Sequence, residues 1–344
     1  MYNNNTVPPH CTFHAEDRHI LAQHWYPIGR SEDITEQPYK AKLLDEALVA
    51  FRVKGELVVA RDVCPYRGVP LSLGCNDGEG VVCTYHGLRF EAGGKCNRVP
   101  AHPDQAIPAK LNMITYPTEE RYELVWTCLK PDADKAPATP VLPHGDDDDF
   151  QQVTCPSFDV ACFAGRQVEG FIDVAHFAWV HTETFADPNK PEVADYKTTD
   201  TREGFHADYY SMVGNYPIGV DGRADEDFVW LRHFEVTLPF TATLTIHFPD
   251  NRRLVIMNAA SPVSARETRM FAPITRNYDK ELPVQDVYDF NLKVFEEDRM
   301  VVETQKPERL PLDLTMEAHI PADRSSIAYR RGLKRMNLGE FFLV

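Results

Sequence analysis

The strongest constraint on this chain is a pair of short glycine-closed segments, Cys64-Pro65-Tyr66-Arg67-Gly68 and Cys83-Thr84-Tyr85-His86-Gly87, with sixteen residues between Tyr66 and Cys83. Two thiols and an imidazole at the heads of turn-forming runs are metal donors carried on loops. Glycine lets such loops turn tightly and bring the backbone close to a bound group. Gly74, Gly78, Gly80, Gly93 and Gly94 break the surrounding sequence into short pieces, which confines this region to short strands and long connections. Eight Cys and 13 His in one chain make isolated pairs commonplace, and the long glycine-flanked agreement weighs against coincidence. Cys64, Cys83 and His86 with a fourth donor from elsewhere would also suit a structural zinc ion. Cys75 and Cys96 are read as incidental thiols.

A second donor group lies in Glu169-Gly170-Phe171-Ile172-Asp173-Val174-Ala175-His176-Phe177-Ala178-Trp179-Val180-His181. The run has helical spacing over 165–180, with Val168, Phe171, Ile172, Ala175 and Trp179 near one stripe. Asp173 and His176, three apart, share a helix face. His176 and His181, five apart, stand about 140° apart on an ideal helix, so they meet at one ion only if the helix loosens or ends. Two histidines and a carboxylate make the facial triad of oxygen-activating ferrous sites. A helix with two hydrogen-bonded core histidines is the plainer reading. A second metal motif in the same chain favours iron. Acids for the third position crowd Glu296-Glu297-Asp298, with Glu303 following; taken alone such a run is a solvated face.

Between the two motifs, KPDADKAPATPVLPHGDDDD at 130–149 lacks apolar periodicity and reads as a linker. Upstream, Ala47–Val53 and Glu56–Ala60 are strand-like around Lys54-Gly55, a hairpin signal; Val81–Tyr85 and Tyr122–Leu129 read as further strands. Downstream, Phe228–Leu238, Thr241–Phe248 and Leu254–Ala260 suggest a large antiparallel sheet, and Val284–Gln305 and Ser325–Met336 suggest helices. The expected class is α+β. Phe163, Phe205, Trp230 and Phe240 suit a pocket wall or, more simply, the core.

The 52 acids against 36 bases, a net charge of −16, argue against nucleic acid or an anionic membrane surface as partner. The N-terminus has no basic segment followed by an apolar run, and no stretch is long and apolar enough to span a bilayer. Free cysteines without a secretory signal point to a reducing, cytoplasmic setting.

Cys64, Cys83 and His86 in these loops resemble the iron–sulfur domain of the Rieske non-haem iron oxygenases. That family carries Cys-x-His, about sixteen residues, then Cys-x-x-His, holding a [2Fe-2S] cluster with two thiolates on one iron and two imidazoles on the other. The resemblance runs from about His24 to Leu338 and includes VPAHPD at 99–104, RYELVW at 121–126, DPNKPE at 187–192 and QKPERLP at 305–311. It implies an N-terminal segment over 1–40 packed on the catalytic domain, an all-β Rieske domain over 41–130, a linker over 131–150, and a helix-grip catalytic domain over 151–344. It selects Asp298 as the third iron ligand beside His176 and His181. It also implies a homotrimer in which Asp173 bridges His176 and the adjacent subunit's His86. The activity implied is O2-dependent hydroxylation or oxidative demethylation of a small aromatic or heterocyclic compound, with electrons from a separate NAD(P)H reductase or ferredoxin. The departure is Tyr66, which puts a phenol, an oxygen donor, where the first imidazole belongs. That chemistry leads to the expectation of an impaired or absent cluster. A cluster-deficient homologue and, less so, a zinc hydrolase are the rival functions.

Overall fold

Short alternating runs in the first third of the chain pair into three small antiparallel sheets. The structure, a computed structural model, describes residues 7–132, 139–214, 224–225 and 227–339 and divides into two units, Met1–Thr139 and Pro140–Val344. In the first unit, helix α1 (Ala15–Leu21) precedes strands β1 (Tyr26–Arg30), β2 (Tyr39–Leu43), β3 (Glu46–Val53) and β4 (Glu56–Arg61). Then come β5 (Cys75–Asn76), β6 (Val81–Val82), β7 (Arg89–Phe90), β8 (Cys96–Arg98), β9 (Thr115–Tyr116), β10 (Thr118–Arg121) and β11 (Leu124–Thr127). The sheets run β1-β11-β10, β2-β3-β4-β9 and β5-β6-β7-β8.

Lys54 and Gly55 both take positive φ, 52° and 85°, the turn whose twist matches paired strands. Tyr122 and Glu123 do the same, both at 58°, so the run expected as one strand over 122–129 is a turn followed by β11. The strand expected over Val81–Tyr85 stops at Val82, because Cys83 begins a donor loop. Phe51, Val58, Leu71, Val81, Leu88 and Phe90 form one buried cluster that also takes in Cys64, Cys83 and Cys96. The thiols are therefore packed into the hydrophobic core.

The N-terminal segment over 1–40 is built into the first unit, as far as its described residues go. β1 pairs antiparallel with β11. Arg18 donates to Leu44 O at 2.8 Å and meets buried Glu46, which also holds Arg61 at 2.9 Å. A buried acid left unpaired would be costly, so these contacts fix α1 there.

The expected linker also differs. Residues 133–138 lie outside the described residues, but from Pro140 the chain is folded into the second unit. Leu142 is buried, Pro143 O accepts from Thr275 Oγ1 at 2.9 Å, and His144 stacks on Phe150 at 3.9 Å.

The second unit is a nine-stranded antiparallel sheet with helices. Its strands are β12 (Gln151–Thr154), β13 (Phe158–Val160), β14 (Lys197–Asp200), β15 (Gly204–Ser211), β16 (Trp230–Thr237), β17 (Thr241–His247), β18 (Arg253–Ser264), β19 (Glu267–Phe271) and β20 (Pro273–Arg276). The main path is β12-β20-β18-β17-β16-β15-β14, with β19 joining β18 to β13. Its helices are α2 (Ala164–Ile172), α3 (Phe177–Val180), α4 (Val284–Val302) and α5 (Arg324–Arg335). Phe163, Phe205, Trp230 and Phe240 are all buried. Two buried arginines tie the helices together. Arg330 of α5 forks onto Glu169 of α2 at 2.6 and 2.9 Å, and Arg166 of α2 reaches Glu317 at 2.7 Å. Bidentate pairs of this kind fix geometry as well as charge.

Candidate metal centres

The single helix expected over 165–180 is two helices with a break. α2 ends at Ile172; Asp173 has extended φ/ψ of −76° and 132° and leaves the helix. Its Oδ1 accepts from Ala175 N at 2.7 Å, a local side-chain-to-backbone bond that competes with helix continuation. His176 then opens α3 and His181 closes it, with Val180 N on His176 O at 2.9 Å and His181 N on Phe177 O at 3.1 Å. The two imidazoles thus flank one helical turn instead of sitting on one long helix. Asp173 and His176 do not share a helix face. Trp179, placed on the apolar stripe by its spacing, is 67% exposed because the restart shifts the phase.

The structure brings His176, His181 and Asp298 together. His176 Nε2 lies 3.0 Å from His181 Nε2 and 3.4 Å from Asp298 Oδ1, and His181 Nε2 lies 3.2 Å from the same oxygen. Three donors about 2.1 Å from one ion and at right angles stand about 3.0 Å apart. The donor spacing therefore fits one face of an octahedral ferrous ion. The charges fit as well. Although burial opposes charge on His176, Asp173 and Asp298 outweigh it and hold its pKa up to about 9. Burial likewise opposes the Asp298 carboxylate, and His176 and His181 still keep its pKa below the usual value. This pocket is built to hold positive charge.

The outer nitrogens are held by carboxylates. His181 Nδ1 is 2.8 Å from Glu297 Oε2, which also accepts from Thr184 Oγ1 at 2.7 Å. His176 Nδ1 is 3.5 Å from Asp173 Oδ2. A carboxylate on Nδ1–H fixes the tautomer that presents Nε2 to a metal. Glu297 is 7% exposed, so within the acid run the reading of a solvated face fails for Glu297. Consecutive helix positions are about 100° apart, so Glu297 and Asp298 reach one site from two angles. Phe185 stacks on His181 at 4.8 Å and meets Phe177 at 5.6 Å, with the Arg232 guanidinium 5.4 Å over the Phe177 ring. This wall keeps water from the triad's flank. Thr184, Phe185 and Arg232 carry no motif that marks them. Arg166, seven residues before Asp173, pairs with Glu169 and Glu317.

The first unit's donor loops are near twins. Cys64 N donates to Val69 O and Cys83 N to Leu88 O, both at 2.8 Å. Gly68 N returns to Cys64 O at 2.9 Å and Gly87 N to Cys83 O at 3.0 Å. Gly68 and Gly87 take φ of 75° and 69°, the left-handed region where glycine is unstrained. Ser72 N and Oγ bond Asp62 at 2.7 and 2.6 Å, which anchors the far side of the first loop. Burial, with the Cys83 thiol adding, pushes the Cys64 thiol up to about 11; a bound metal reverses that by taking the thiolate.

Two buried thiols beside each other, with His86 on the second loop, suit a two-iron cluster. Tyr66 departs from it. Its ring meets that of His86 edge-on at 5.0 Å and carries Arg67 over its face at 4.2 Å. It is 39% exposed, and its one donor oxygen sits at the tip of a side chain longer than histidine. Three of the four donors fit. Among the described residues, the groups of three or more donors that close on a single point do not include Cys64, Cys83 or His86. No helix among the described residues is long and apolar enough to cross a membrane.

Comparison with known proteins agrees with both centres. The Rieske [2Fe-2S] domain family matches residues 24–117, and the vanillate O-demethylase oxygenase C-terminal domain family matches residues 160–338. Methylxanthine N3-demethylase NdmB of Pseudomonas putida is 30% identical over 337 residues, covering 94% of this chain and 91% of that protein. The structure of NdmA from Pseudomonas putida CBB5 with caffeine matches with a TM-score of 0.81 at 29% identity, covering 93% of this chain and 92% of that one. Oxidoreductase NdmD of Pseudomonas putida is 36% identical over 108 residues, 30% of this chain and 18% of that protein.

Proposed function

We propose, from the premise that this chain belongs to the Rieske non-haem iron oxygenase family, that it removes a methyl group from a small N-heteroaromatic or aromatic substrate. The chain is the oxygenase component of such a system, and the family's cofactors are a Rieske [2Fe-2S] cluster and a mononuclear iron. Demethylation is favoured over ring dihydroxylation because the relatives aligned along nearly the whole chain include methylxanthine N3-demethylase NdmB and the structure of NdmA with caffeine. The balanced reaction is R–CH3 (N- or O-methyl) + O2 + NADH + H⁺ → R–H + HCHO + H2O + NAD⁺. Oxidation of NADH would fall to a separate reductase.

The observation that carries the reading is the convergence of His176, His181 and Asp298 at 3.0 to 3.4 Å. His176, His181 and Asp298 would hold ferrous iron, which would supply dioxygen activation. The rest is the work of side chains. Glu297 holds His181 in the tautomer with Nε2 free, and Asp173 does the same for His176 across a longer gap. Phe177 and Phe185 exclude water from the flank of the triad. Asp173 keeps a third of its side chain exposed, which leaves it free to meet a second imidazole. In a homotrimer that imidazole would be His86 of the adjacent subunit. A Rieske cluster stores and passes single electrons. Cys64, Cys83 and His86 would hold it, and Tyr66 leaves its second iron short of one imidazole. Electron supply is therefore the weak step of this protein.

The test combines metal analysis with turnover. Protein purified without oxygen should retain iron that depends on Asp298. With a reductase, NADH and N-methylated purines, it should release formaldehyde in step with methyl loss. Retention of one zinc per chain with no iron, or NADH oxidation that never yields formaldehyde from any N- or O-methyl aromatic, would sink the demethylase reading.

A further inference from the structure

We propose that one face of the large sheet carries a second divalent-cation site, built from His206, Asp208 and His233 and suited to a borderline cation such as Zn²⁺. Side chains alternate along a strand, so His206 and Asp208 of β15 lie on one face, and His233 of β16 joins them as the direct partner of Asp208. The donor atoms of the three residues all lie within 4.8 Å of one another. His233 Nδ1 is 2.6 Å from Asp208 Oδ1, and the His206 and His233 rings are 5.5 Å apart at 32°. The intervening residues face the other way. Phe234 and Arg232 are buried and reach Phe171 and Phe177, beside the iron triad. The proposed site is thus on the opposite side of the strands from the proposed iron.

A hydrogen bond between His233 and Asp208 accounts for those two residues without any metal. It does not account for His206, whose Nδ1 is out of water with no hydrogen-bond partner. Buried imidazole nitrogens without a partner are uncommon, and a cation shared with its neighbours would resolve the cluster. The surroundings are compatible. Glu235 is the cross-strand partner of His206 and adds negative charge; Lys197 is the partner of Asp208 on β14. Thr245 stands opposite His233, and His247, opposite Leu231, lies diagonal to it, with Arg253 beyond. His247 or water could complete four-coordination. Two imidazoles and one carboxylate suit zinc, copper or nickel; calcium and magnesium demand more oxygen donors. Asp208 is exposed, so a hydrated ion can enter directly.

The test is calorimetric titration of the iron-loaded protein with zinc chloride, with metal content measured after gel filtration. The expected result is one zinc per chain beyond the iron, with binding roughly tenfold or more weaker in His206→Ala and in His233→Ala. Glu235→Gln, which removes charge but no proposed ligand, should retain the stoichiometry. Because the alanine variants sit in a central strand pair, electron paramagnetic resonance of Cu²⁺ added to unmutated iron-loaded protein gives an independent reading. Coupling to two imidazole nitrogens is expected. No extra metal at millimolar zinc, zinc binding unchanged in both histidine variants, or a copper spectrum without imidazole coupling would each overturn the site.

Discussion

The two metal centres are built in opposite ways. In the first unit the four proposed ligand positions fall between Cys64 and His86, and each loop closes on its own backbone hydrogen bonds. In the second unit two of the proposed ligands flank α3, while the third comes from α4, far along the chain. The turn of the first loop is made by Gly68, Val69 and the cysteine backbone, not by the side chain at position 66. The second exists only if α4 docks correctly. A donor replacement at the first site is therefore a chemical change without a structural one, whereas the second site has no such tolerance.

The largest expected effect breaks the second site. Asp298→Ala or His176→Ala should abolish iron retention and lower turnover about a thousandfold, some 4 kcal/mol of barrier, with melting of the first unit unchanged. Iron analysis and formaldehyde release check this together. Next, Glu297→Gln should weaken iron binding by about 10- to 100-fold, with activity recovered by excess Fe²⁺. Unaltered affinity would show that His181 is oriented by packing on Phe185 alone.

At the first site, Tyr66→His should restore acid-labile sulfide to the level of a full cluster and raise turnover about tenfold or more. Sulfide assay and the spectrum of the reduced protein decide it. If unmutated protein already holds a full cluster, the phenol is a competent ligand, and its cluster should be harder to reduce than that of the histidine variant, because reduction adds an electron to a more negative centre.

A pH series sharpens the contrast. With the His176 pKa raised to about 9, a proton on it stabilises the metal-free fold fully below the ordinary 6.5, and that contribution is lost as pH rises through about 9. Iron must displace that proton, so apparent affinity should climb between pH 6.5 and 9, by up to about tenfold per unit, and then level off. Iron titrations at several pH values test the slope. Smallest of all, Gly68→Ala, at φ 75° with open space around the added methyl, should cost only about 1 kcal/mol. Thermal unfolding measures it.

Much of the first unit was legible because its determinants are local. Lys54-Gly55 marks its hairpin and Gly87 its second donor turn, and the two glycines carry the positive φ their identity suggests. What failed there was extent: Cys83 to Tyr85 look like a strand by composition, but the turn closed by Gly87 takes them. In the second unit the spacing predicts one helix over 165–180 where the structure has two, because hydrophobic spacing does not register a local carboxylate bond. Asp173 capturing Ala175 N ends α2 and resets the phase. Glu297 was hidden in an acid run whose members look alike until the helix is rotated against His181.

The amino-acid sequence alone determined which donors exist and which turns present them, because metal affinity follows donor chemistry and tight turns follow glycine. It also carried the anomaly at Tyr66, which no folding event removes. Only the tertiary structure decided that α4 delivers Asp298 between two imidazoles while Glu297 grips one of them from behind. It also decided that residues up to Leu43 belong with the first unit, and that three polar side chains meet across β15 and β16. Those outcomes depend on helix docking and strand register, which are set by the summed packing of distant residues rather than by any local run.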